Sequence, residues 1–279
     1  MSNAIEIRQL TKHFSDFTLD HVDISLPRGA IMGLIGSNGA GKSTTIKLML
    51  GLMQADEGSV DILGCDDFSR NRTLREHVGV VMDESSFPDN LTLSSIGQVM
   101  KRCYRTWDTA KFQAFAARFG LPEKKPVREF SRGMKMKLSI AVALSHDSHL
   151  LILDEATSGL DPIVRDEMLD VFLDFIQDEN HAILISSHII SDLEKICDYI
   201  CYIHQGRVLF THAKDELMER YVVAKGTAEE VKSIPGRVGL RSHAFGAETL
   251  ALRERVPQGL TADPATLEDI MLFYAKGEC

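Results

Sequence analysis

The sequence predicts an α/β fold with a mainly parallel core sheet, an antiparallel β subdomain, an inserted helical subdomain and a small C-terminal α+β appendage. From residue 30 to about residue 216, short apolar runs alternate with segments of helical periodicity. This alternation is typical of a parallel sheet covered on both faces. From about residue 91 to residue 146 the pattern becomes helical, with breaks at Gly120, Pro122 and Pro126, and this stretch interrupts the alternation.

The composition is that of an ordinary globular protein, with 279 residues, 44% hydrophobic and 25% charged. The 40 acidic residues outnumber the 31 basic ones, and the formal charge is −9. This sign disfavours a polyanionic partner, so we expect no nucleic-acid partner. The apolar runs are far shorter than the ~20 residues of a membrane-spanning helix, and the start lacks a secretory signal, which favours a cytoplasmic location.

The five cysteines are scattered and odd in number, which favours reduced thiols over a disulfide framework. Cys197, Cys201 and His204 could suggest a metal site. However, one helical turn followed by a strand also explains small buried residues at these positions, and a fourth ligand is missing. We therefore favour a packing role for the two cysteines.

The first elements have the pattern of strands. Apolar residues alternate over 5–10 and 17–26, and the turn signal at 27–29 ends the second strand. The apolar run at 30–35 predicts a buried strand that enters a glycine-rich loop. The helical spacing of 44–52 then completes a strand, loop and helix unit.

The later elements divide into a helical stretch, a second strand and helix series, and a C-terminal region. The predicted helices and strands before the C-terminal region are helices 93–105, 109–119 and 131–145, strand 149–153, helix 162–178, strand 182–186 and helix 189–197. Beyond about residue 217, short strand-like pieces lie among glycines and prolines before a final helix near 265–274. We therefore predict a main domain at 1–216, with its helical subdomain at about 84–148, and an accessory domain at 217–279.

The strongest chemical signal is a phosphate-binding loop (P-loop) after the third predicted strand. Its pattern is Gly, four residues, Gly, Lys and Ser or Thr. Glycines let the backbone wrap around phosphate, and the start of the next helix adds a positive dipole end. Lys42 is expected to reach the β- and γ-phosphates, and Ser43 to offer its hydroxyl to Mg²⁺. The predicted nucleotide-binding residues here are Gly36, Ser37, Asn38, Gly39, Ala40, Gly41, Lys42, Ser43 and Thr44.

Two carboxylates follow the buried strand at 149–153. Asp154 is expected to hold Mg²⁺ through water, and Glu155 to polarise the water that attacks the γ-phosphate. In isolation, such a pair is equally consistent with an acidic strand end at a turn. Downstream of a P-loop, the catalytic interpretation is favoured.

These segments, read together with 130–134, 158–161 and His188, resemble the nucleotide-binding subunits of ABC transporters over about residues 5–210. A P-loop alone is shared by many ATPases and GTPases, whereas the ordered set is specific. The resemblance implies a P-loop ATPase fold of the ABC type, ATP hydrolysis, and ATP with Mg²⁺ as cofactors.

Residues 130–134, Phe-Ser-Arg-Gly-Met, occupy the family signature, which is usually Leu-Ser-Gly-Gly-Gln. In the family, the serine and the glycine contact the γ-phosphate of ATP bound to the opposite subunit. Ser131 and Gly133 retain a hydroxyl donor, close backbone approach and a helix N-terminus that faces an anion. In isolation this string would most often be a helix N-cap.

Three further positions follow from the resemblance. Residues 158–161 match the D-loop that links the two composite sites, and Asp161 is assigned to the nucleotide site. His188 matches the switch histidine that contacts the γ-phosphate and orients Glu155 and the water. Phe14 fits the aromatic, normally tyrosine, that stacks on adenine. The sequence is about equally consistent with a position of Phe14 in the core. Phe17 is the reserve candidate for stacking on adenine.

One position departs from the family pattern. The family normally has a glutamine after the strand that leads into the helical subdomain, where it contacts Mg²⁺ and senses the membrane partner. Here the equivalent residue is Asp83, whose oxygen still suits Mg²⁺ but adds a negative charge beside ATP. Alternatively, Asp83 is a solvated loop acid and Glu84 approaches the site.

The acid pair 83–84, the stretch 104–108 and the signature variant resemble ATPase subunits of bacterial exporters that work with separate six-helix permeases. This resemblance implies a homodimer, or a heterodimer with a similar ATPase subunit, held at the inner face of the membrane by a transmembrane permease. The alternative is a soluble ABC-type ATPase that acts on a non-membrane partner. A kinase or GTPase would leave the Ser131 and His188 segments unexplained.

Overall fold

The computed structural model describes residues 3–83, 87–244 and 246–276. Its strands form sheets of six, three and four strands. The strands are β1 (Asn3–His13), β2 (Thr18–Pro27), β3 (Ile31–Ile35), β4 (Glu57–Ile62), β5 (Val78–Val81), β6 (Leu150–Asp154), β7 (Ala182–Ser186), β8 (Tyr199–His204), β9 (Arg207–Ala213), β10 (Tyr221–Gly226), β11 (Val238–His243), β12 (Gly246–Leu252) and β13 (Thr261–Pro264). The α-helices are α1 (Lys42–Met49), α2 (Arg72–Arg75), α3 (Leu93–Cys103), α4 (Thr109–Arg118), α5 (Arg132–Leu144), α6 (Pro162–Phe175), α7 (Ile190–Ile196), α8 (Lys214–Arg220), α9 (Ala228–Lys232) and α10 (Leu267–Lys276).

The six-stranded sheet, ordered β5-β6-β7-β3-β8-β9, forms the centre of the fold. Its first five strands are parallel, and β9 is antiparallel to β8. Strands β3, β6 and β7 are buried along their whole length, as expected for parallel strands covered on both faces. The carboxyl ends of these strands meet at one edge of the sheet, where ligands of open α/β sheets bind.

Alternate residues of the central strands enter two separate cores. Ile183 and Ile185 of β7 pack into a core shared with the helices α3 to α7, and Leu184 packs into a core shared with α1 and the three-stranded sheet. That sheet, ordered β2-β1-β4, is antiparallel, with Ile7 opposite both Ile24 and Val60. The predicted parallel sheet and antiparallel subdomain are both confirmed.

The inserted helices α3, α4 and α5 lie between β5 and β6 in the chain. Each begins after a polar residue, Thr92, Asp108 or Ser131, whose side chain accepts a hydrogen bond from a backbone N–H three residues later. Such caps satisfy one of the unpaired donors at a helix N-terminus. Leu93 and Phe112 are buried in the same core as the central sheet.

The C-terminal region has its own antiparallel sheet, ordered β11-β12-β10-β13. Helix α10 carries Leu267 and Phe273 into the core that also contains Leu193 and Ile196 of α7. The boundary predicted between residues 216 and 217 falls inside α8. The division into 1–216 and 217–279 stays a prediction.

Most predicted elements are present, with shifted ends. Strand β7 agrees with the predicted 182–186 residue for residue, whereas α1 begins at Lys42 and ends at Met49, inside the predicted limit of 52. Helices α2, α8 and α9 have four to seven residues, too few to show a clear period, and were not predicted. None of the helices in the described ranges combines the length and apolar character needed to cross a membrane.

Candidate functional site

The loop between β3 and α1 folds tightly because of its glycines. A Cβ on Gly36 would lie 2.3 Å from the backbone oxygen of Ile203 in β8, so only glycine fits there. Gly41 has φ of 115° and stands immediately before α1. In this left-handed region a glycine avoids the steric cost of a side chain. The two glycines let the backbone turn sharply into the start of α1, as a phosphate-binding loop requires.

Lys42 is the buried cation of this loop, with only 6% of its surface exposed. Its Nζ donates to the backbone oxygen of Gly36 at 2.8 Å and lies 3.6 Å from Oε1 of Glu155. A buried ammonium group must be paired, because desolvation is costly. Its carbonyl and carboxylate partners hold it within the loop, where a phosphate would be a natural counter-charge.

The acid pair stands at the carboxyl end of β6. Asp154 is buried, and its Oδ1 accepts a hydrogen bond from Oγ of Ser186 at 2.6 Å. The two residues are register partners in neighbouring parallel strands. The backbone N–H of Glu155 donates to the same Ser186 hydroxyl at 3.1 Å. One serine therefore fixes both acids relative to β7.

Glu155 has φ of 54°, in the left-handed region. A residue with a side chain pays roughly 1–3 kcal/mol for such a conformation, which is common at functional sites. The turn places the carboxylate next to two cationic or hydrogen-bonding groups. Oε1 lies near Lys42, and Oε2 lies 2.6 Å from Nδ1 of His188. The histidine is half-exposed, so it faces both the acid and solvent.

These residues line one cleft of about 860 Å³. The cleft is lined by Phe14, Asp16, Phe17, Ser37, Asn38, Gly39, Ala40, Gly41, Lys42, Ser43, Thr44, Asp83, Glu155, Ser158 and His188. Of the remaining predicted residues, Gly36 contacts this lining through Lys42, and Asp154 is joined to Glu155 in the chain. The structure thus gathers the P-loop, the acid pair and the predicted switch histidine.

Phe14 lies at the rim of the cleft and is 41% exposed, so it is not a core residue. Its ring centroid is 6.1 Å from that of Phe17, which also lines the cleft. The two rings offer an aromatic surface beside the P-loop, as adenine stacking requires. Stacking by Phe14 stays a prediction, with Phe17 as the alternative.

Three predicted residues lie outside the cleft of their own chain. Ser131 caps α5, its Oγ accepting from the N–H of Met134 at 3.2 Å, and Gly133 lies in the first turn of that helix. Asp161 caps α6 by accepting from the N–H of Val164 at 3.0 Å. Their nucleotide contacts stay predictions.

Asp83 lines the cleft, and its Oδ1 accepts a hydrogen bond from Nη2 of Arg132 at 2.6 Å. Arg132 is the first residue of α5, so this ion pair joins the end of β5 to the signature helix. The same guanidinium lies against Gly159, where an added Cβ would be 3.1 Å from Nη1. The alternative candidate, Glu84, lies outside the described residues.

The donors around the cleft fit a nucleotide with Mg²⁺. Ser43, Asp83 and Asp154 offer hydroxyl and carboxylate oxygens, the ligands that Mg²⁺ prefers. Sequence reasoning did not assign Asp16 or Ser158 to the site, although both line the cleft. Ser158 could have been found as the first residue of the predicted D-loop, whereas nothing in the sequence singled out Asp16.

Cys197 and Cys201 have the packing role that we favoured. Both are buried, and with Cys65 and Cys103 they are free thiols in the described part of the chain. Burial raises the pKa of Cys201 to about 11 and raises that of Cys197 further. Burial therefore favours the neutral, unreactive thiol form of both side chains.

Comparisons with known proteins agree with this geometry. A family model described as "ABC transporter" matches residues 19–158. The bacitracin transport ATP-binding protein BcrA of Bacillus licheniformis is 36% identical over 223 residues, covering 79% of this chain and 73% of the relative. An uncharacterised ABC transporter ATP-binding protein of Bacillus subtilis, YhcH, is 29% identical over 283 residues, covering 99% of this chain and 92% of the relative.

A solved structure of an ATP-binding subunit of an ABC transporter superposes with a TM-score of 0.70 at 28% identity, covering 77% of this chain and 91% of that one. The P-loop, the acid pair and the histidine therefore lie on a fold shared with proteins of this type. The chain belongs to the ABC transporter family, as one of its ATP-binding and ATP-hydrolysing subunits.

Proposed function

We propose that this subunit powers export through a separate transmembrane permease, at the inner face of the membrane. The observation that carries the proposal is the joint contact of Glu155 with Lys42 and His188 in the cleft. It supports ATP hydrolysis at a site built for phosphate. The transport role of BcrA and the exporter-like segments of the sequence support coupling to a membrane partner.

The working unit that we propose is a dimer of this chain, or of this chain with a similar ATPase subunit. Ser131 and Gly133 lie outside the cleft of their own chain, at the N-terminal end of α5. A helix N-terminus with a hydroxyl and a glycine suits an anion that arrives from outside the chain. In a dimer, this segment would complete the partner's ATP site, so closure and hydrolysis would depend on each other.

Within each site, Lys42 would bind the β- and γ-phosphates after exchanging the Gly36 carbonyl for a phosphate oxygen. Glu155 would take a proton from the attacking water, and His188 would hold that carboxylate in place. Ser43, Asp154 and Asp83 would hold Mg²⁺, which neutralises the charge on the phosphates when it is bound. Phe14 or Phe17 would position the adenine ring.

ATP-driven closure can move a permease only through different affinities for its two states. Reopening after hydrolysis would complete the cycle and return the permease to its first state. The relative BcrA is named for bacitracin. No cargo is proposed for this chain, because the cargo would contact the permease.

The test is co-expression with a multi-helix membrane protein encoded beside this gene. The expected result is co-purification in detergent and a several-fold rise in ATPase activity over the isolated subunit. The Glu155→Gln variant is the matched control, which should co-purify without turnover. If no neighbouring membrane protein binds, and a non-membrane protein binds and stimulates instead, the soluble ABC-type ATPase is the correct function.

A further inference from the structure

A second cluster of titratable side chains lies at the edge of the central sheet opposite to the ATP cleft. His77 immediately precedes β5, and Asp147 and His149 lie in the loop that leads into β6. One ligand atom from each of these three side chains lies within 4.8 Å of the others. We propose that His77, Asp147 and His149 bind a divalent transition-metal ion such as Zn²⁺. This site does not depend on the proposed function.

The distances within the cluster suit a shared ion. Nδ1 of His77 is 3.3 Å from Oδ2 of Asp147, and Nε2 of His149 is 3.5 Å from Oδ1 of the same carboxylate. Ligand atoms at the usual zinc distances in a tetrahedral site are about 3.3 Å apart. Each imidazole lies at about this spacing from one oxygen of the Asp147 carboxylate, and the three ligand atoms lie within 4.8 Å of one another, so small side-chain rotations would bring them to one ion.

The backbone around the cluster holds the three side chains in place. The N–H groups of His149 and Leu150 donate to the backbone oxygen of His77 at 2.8 and 3.1 Å. The N–H of Asp147 donates to Oγ1 of Thr106 at 3.2 Å. These hydrogen bonds join the two segments that supply the ligands to each other and to the helical region. Less conformational entropy is therefore lost when a metal ion binds.

The donor set selects the class of metal. Two imidazole nitrogens and one carboxylate suit Zn²⁺, Co²⁺ or Ni²⁺, whereas Mg²⁺ prefers oxygen ligands alone. Nδ1 of His77 also lies 3.0 Å from the backbone oxygen of Asp147. Coordination through Nδ1 would replace that hydrogen bond and leave the ring proton on Nε2. Because Asp147 is exposed, water can fill the remaining coordination positions.

A neighbouring histidine, His181, is held by other partners. Its ring stacks near that of His149, with centroids 5.7 Å apart. Its Nδ1 is 2.8 Å from the backbone oxygen of Phe175, and Nε2 is 3.9 Å from Oδ2 of Asp178. The Nδ1 contact holds the ring against its own segment, and among the described residues the group of close ligand atoms consists of His77, Asp147 and His149. We therefore assign three protein ligands.

The experiment is calorimetric titration of the full-length, chelator-treated protein with Zn²⁺ in buffer without nucleotide or Mg²⁺. We expect one Zn²⁺ per chain and a thermal midpoint that rises by about 5 °C at saturation. His149→Ala and Asp147→Asn should each weaken binding by about 100-fold. Asp147 is exposed, so its conservative variant should fold normally. Titration with Co²⁺ should also produce visible absorption bands that both variants lose.

Two control variants locate the bound ion. His212→Ala removes a histidine of β9 far along the chain from the cluster, and His188→Ala removes the histidine of the ATP cleft; both should keep the wild-type Zn²⁺ affinity. The proposal is overturned if the wild type binds no Zn²⁺. It is also overturned if His149→Ala and Asp147→Asn bind as tightly as the wild type, or if His188→Ala abolishes binding.

Discussion

His188 and Glu155 are joined by a contact of 2.6 Å between Nδ1 and Oε2. The two residues follow neighbouring parallel strands, β7 and β6, whose last residues are register partners. The central sheet therefore sets the distance between them. Because Glu155 also approaches Lys42, this acid connects the phosphate loop to the histidine.

Replacing His188 with alanine should lower kcat by about 100-fold, with a much smaller change in ATP affinity. The histidine contacts the carboxylate of Glu155, so its loss should mainly misplace the base. Steady-state ATPase assays and nucleotide titrations measure the two quantities separately. His212→Ala is the matched control and should keep full activity. A normal kcat in the His188 variant would remove this residue from the mechanism.

Replacing Lys42 with alanine should weaken ATP binding by about 100-fold, the loss of roughly 2–3 kcal/mol from a charged hydrogen bond to phosphate. The ammonium group of Lys42 is buried in the loop and lies beside Glu155 in the cleft. Fluorescent-nucleotide titration measures the affinity, and circular dichroism checks that the variant is folded. Wild-type affinity in a folded variant would contradict the assignment of the P-loop lysine.

The ion pair of Asp83 and Arg132 allows the two interpretations of Asp83 to be separated. Both side chains are about half exposed, so either alanine variant should change the unfolding free energy by under about 1 kcal/mol. If Asp83 is a Mg²⁺ ligand, Asp83→Ala should raise the Mg²⁺ concentration for half-maximal ATPase activity several-fold.

Arg132→Ala is the control for this pair, because it removes the ion pair but keeps the carboxylate. It should leave the Mg²⁺ requirement unchanged or lower it. Equal Mg²⁺ curves for the wild type and both variants would show that Asp83 is a solvated loop acid, the interpretation that the sequence left open.

The titration of Asp192 should lower the free energy of unfolding as the pH rises. Burial raises the pKa of this carboxyl group above its ordinary value of 3.8, although Thr157 and Arg165 oppose the shift. Between the two pKa values, the folded state holds a proton that the unfolded state releases. The contribution of Asp192 to the free energy of unfolding is therefore fully present below pH 3.8 and is lost as the pH rises through the folded-state pKa.

The variant Asp192→Asn removes this titration. Its stability relative to wild type should therefore increase between pH 4 and pH 7, as measured by urea unfolding at several pH values. Asp170→Asn, at an exposed position of α6, is the matched control and should follow the wild-type pH dependence. A relative stability of Asp192→Asn that is constant or falls over this range would contradict the prediction.

The sequence predicted the P-loop, the acid pair and the parallel sheet because each depends on local pattern. Consecutive residues 36–43 specify the loop, and apolar runs of four to six residues specify buried strands. The order of strands in the sheet depends instead on contacts between distant segments. It had to come from the structure, or from the resemblance to a family.

Contacts between distant residues could not be predicted for the same reason. Asp83 and Arg132 are 49 positions apart, and no local pattern pairs an acid after a strand with the arginine of a signature helix. His77 and His149 come together only because β5 and β6 are neighbours in the sheet. The left-handed backbone of Glu155 is likewise set by its turn between sheet and loop.

The most direct test of the account is the comparison of Glu155→Gln with the wild type, because the amide cannot accept the proton of the attacking water. The variant should retain Mg-ATP affinity within about threefold, lose at least about 100-fold in steady-state turnover and accumulate as an ATP-bound dimer in size-exclusion chromatography. Wild-type turnover by the folded variant, free of contaminating ATPase, would contradict the assignment of Glu155 as the catalytic base.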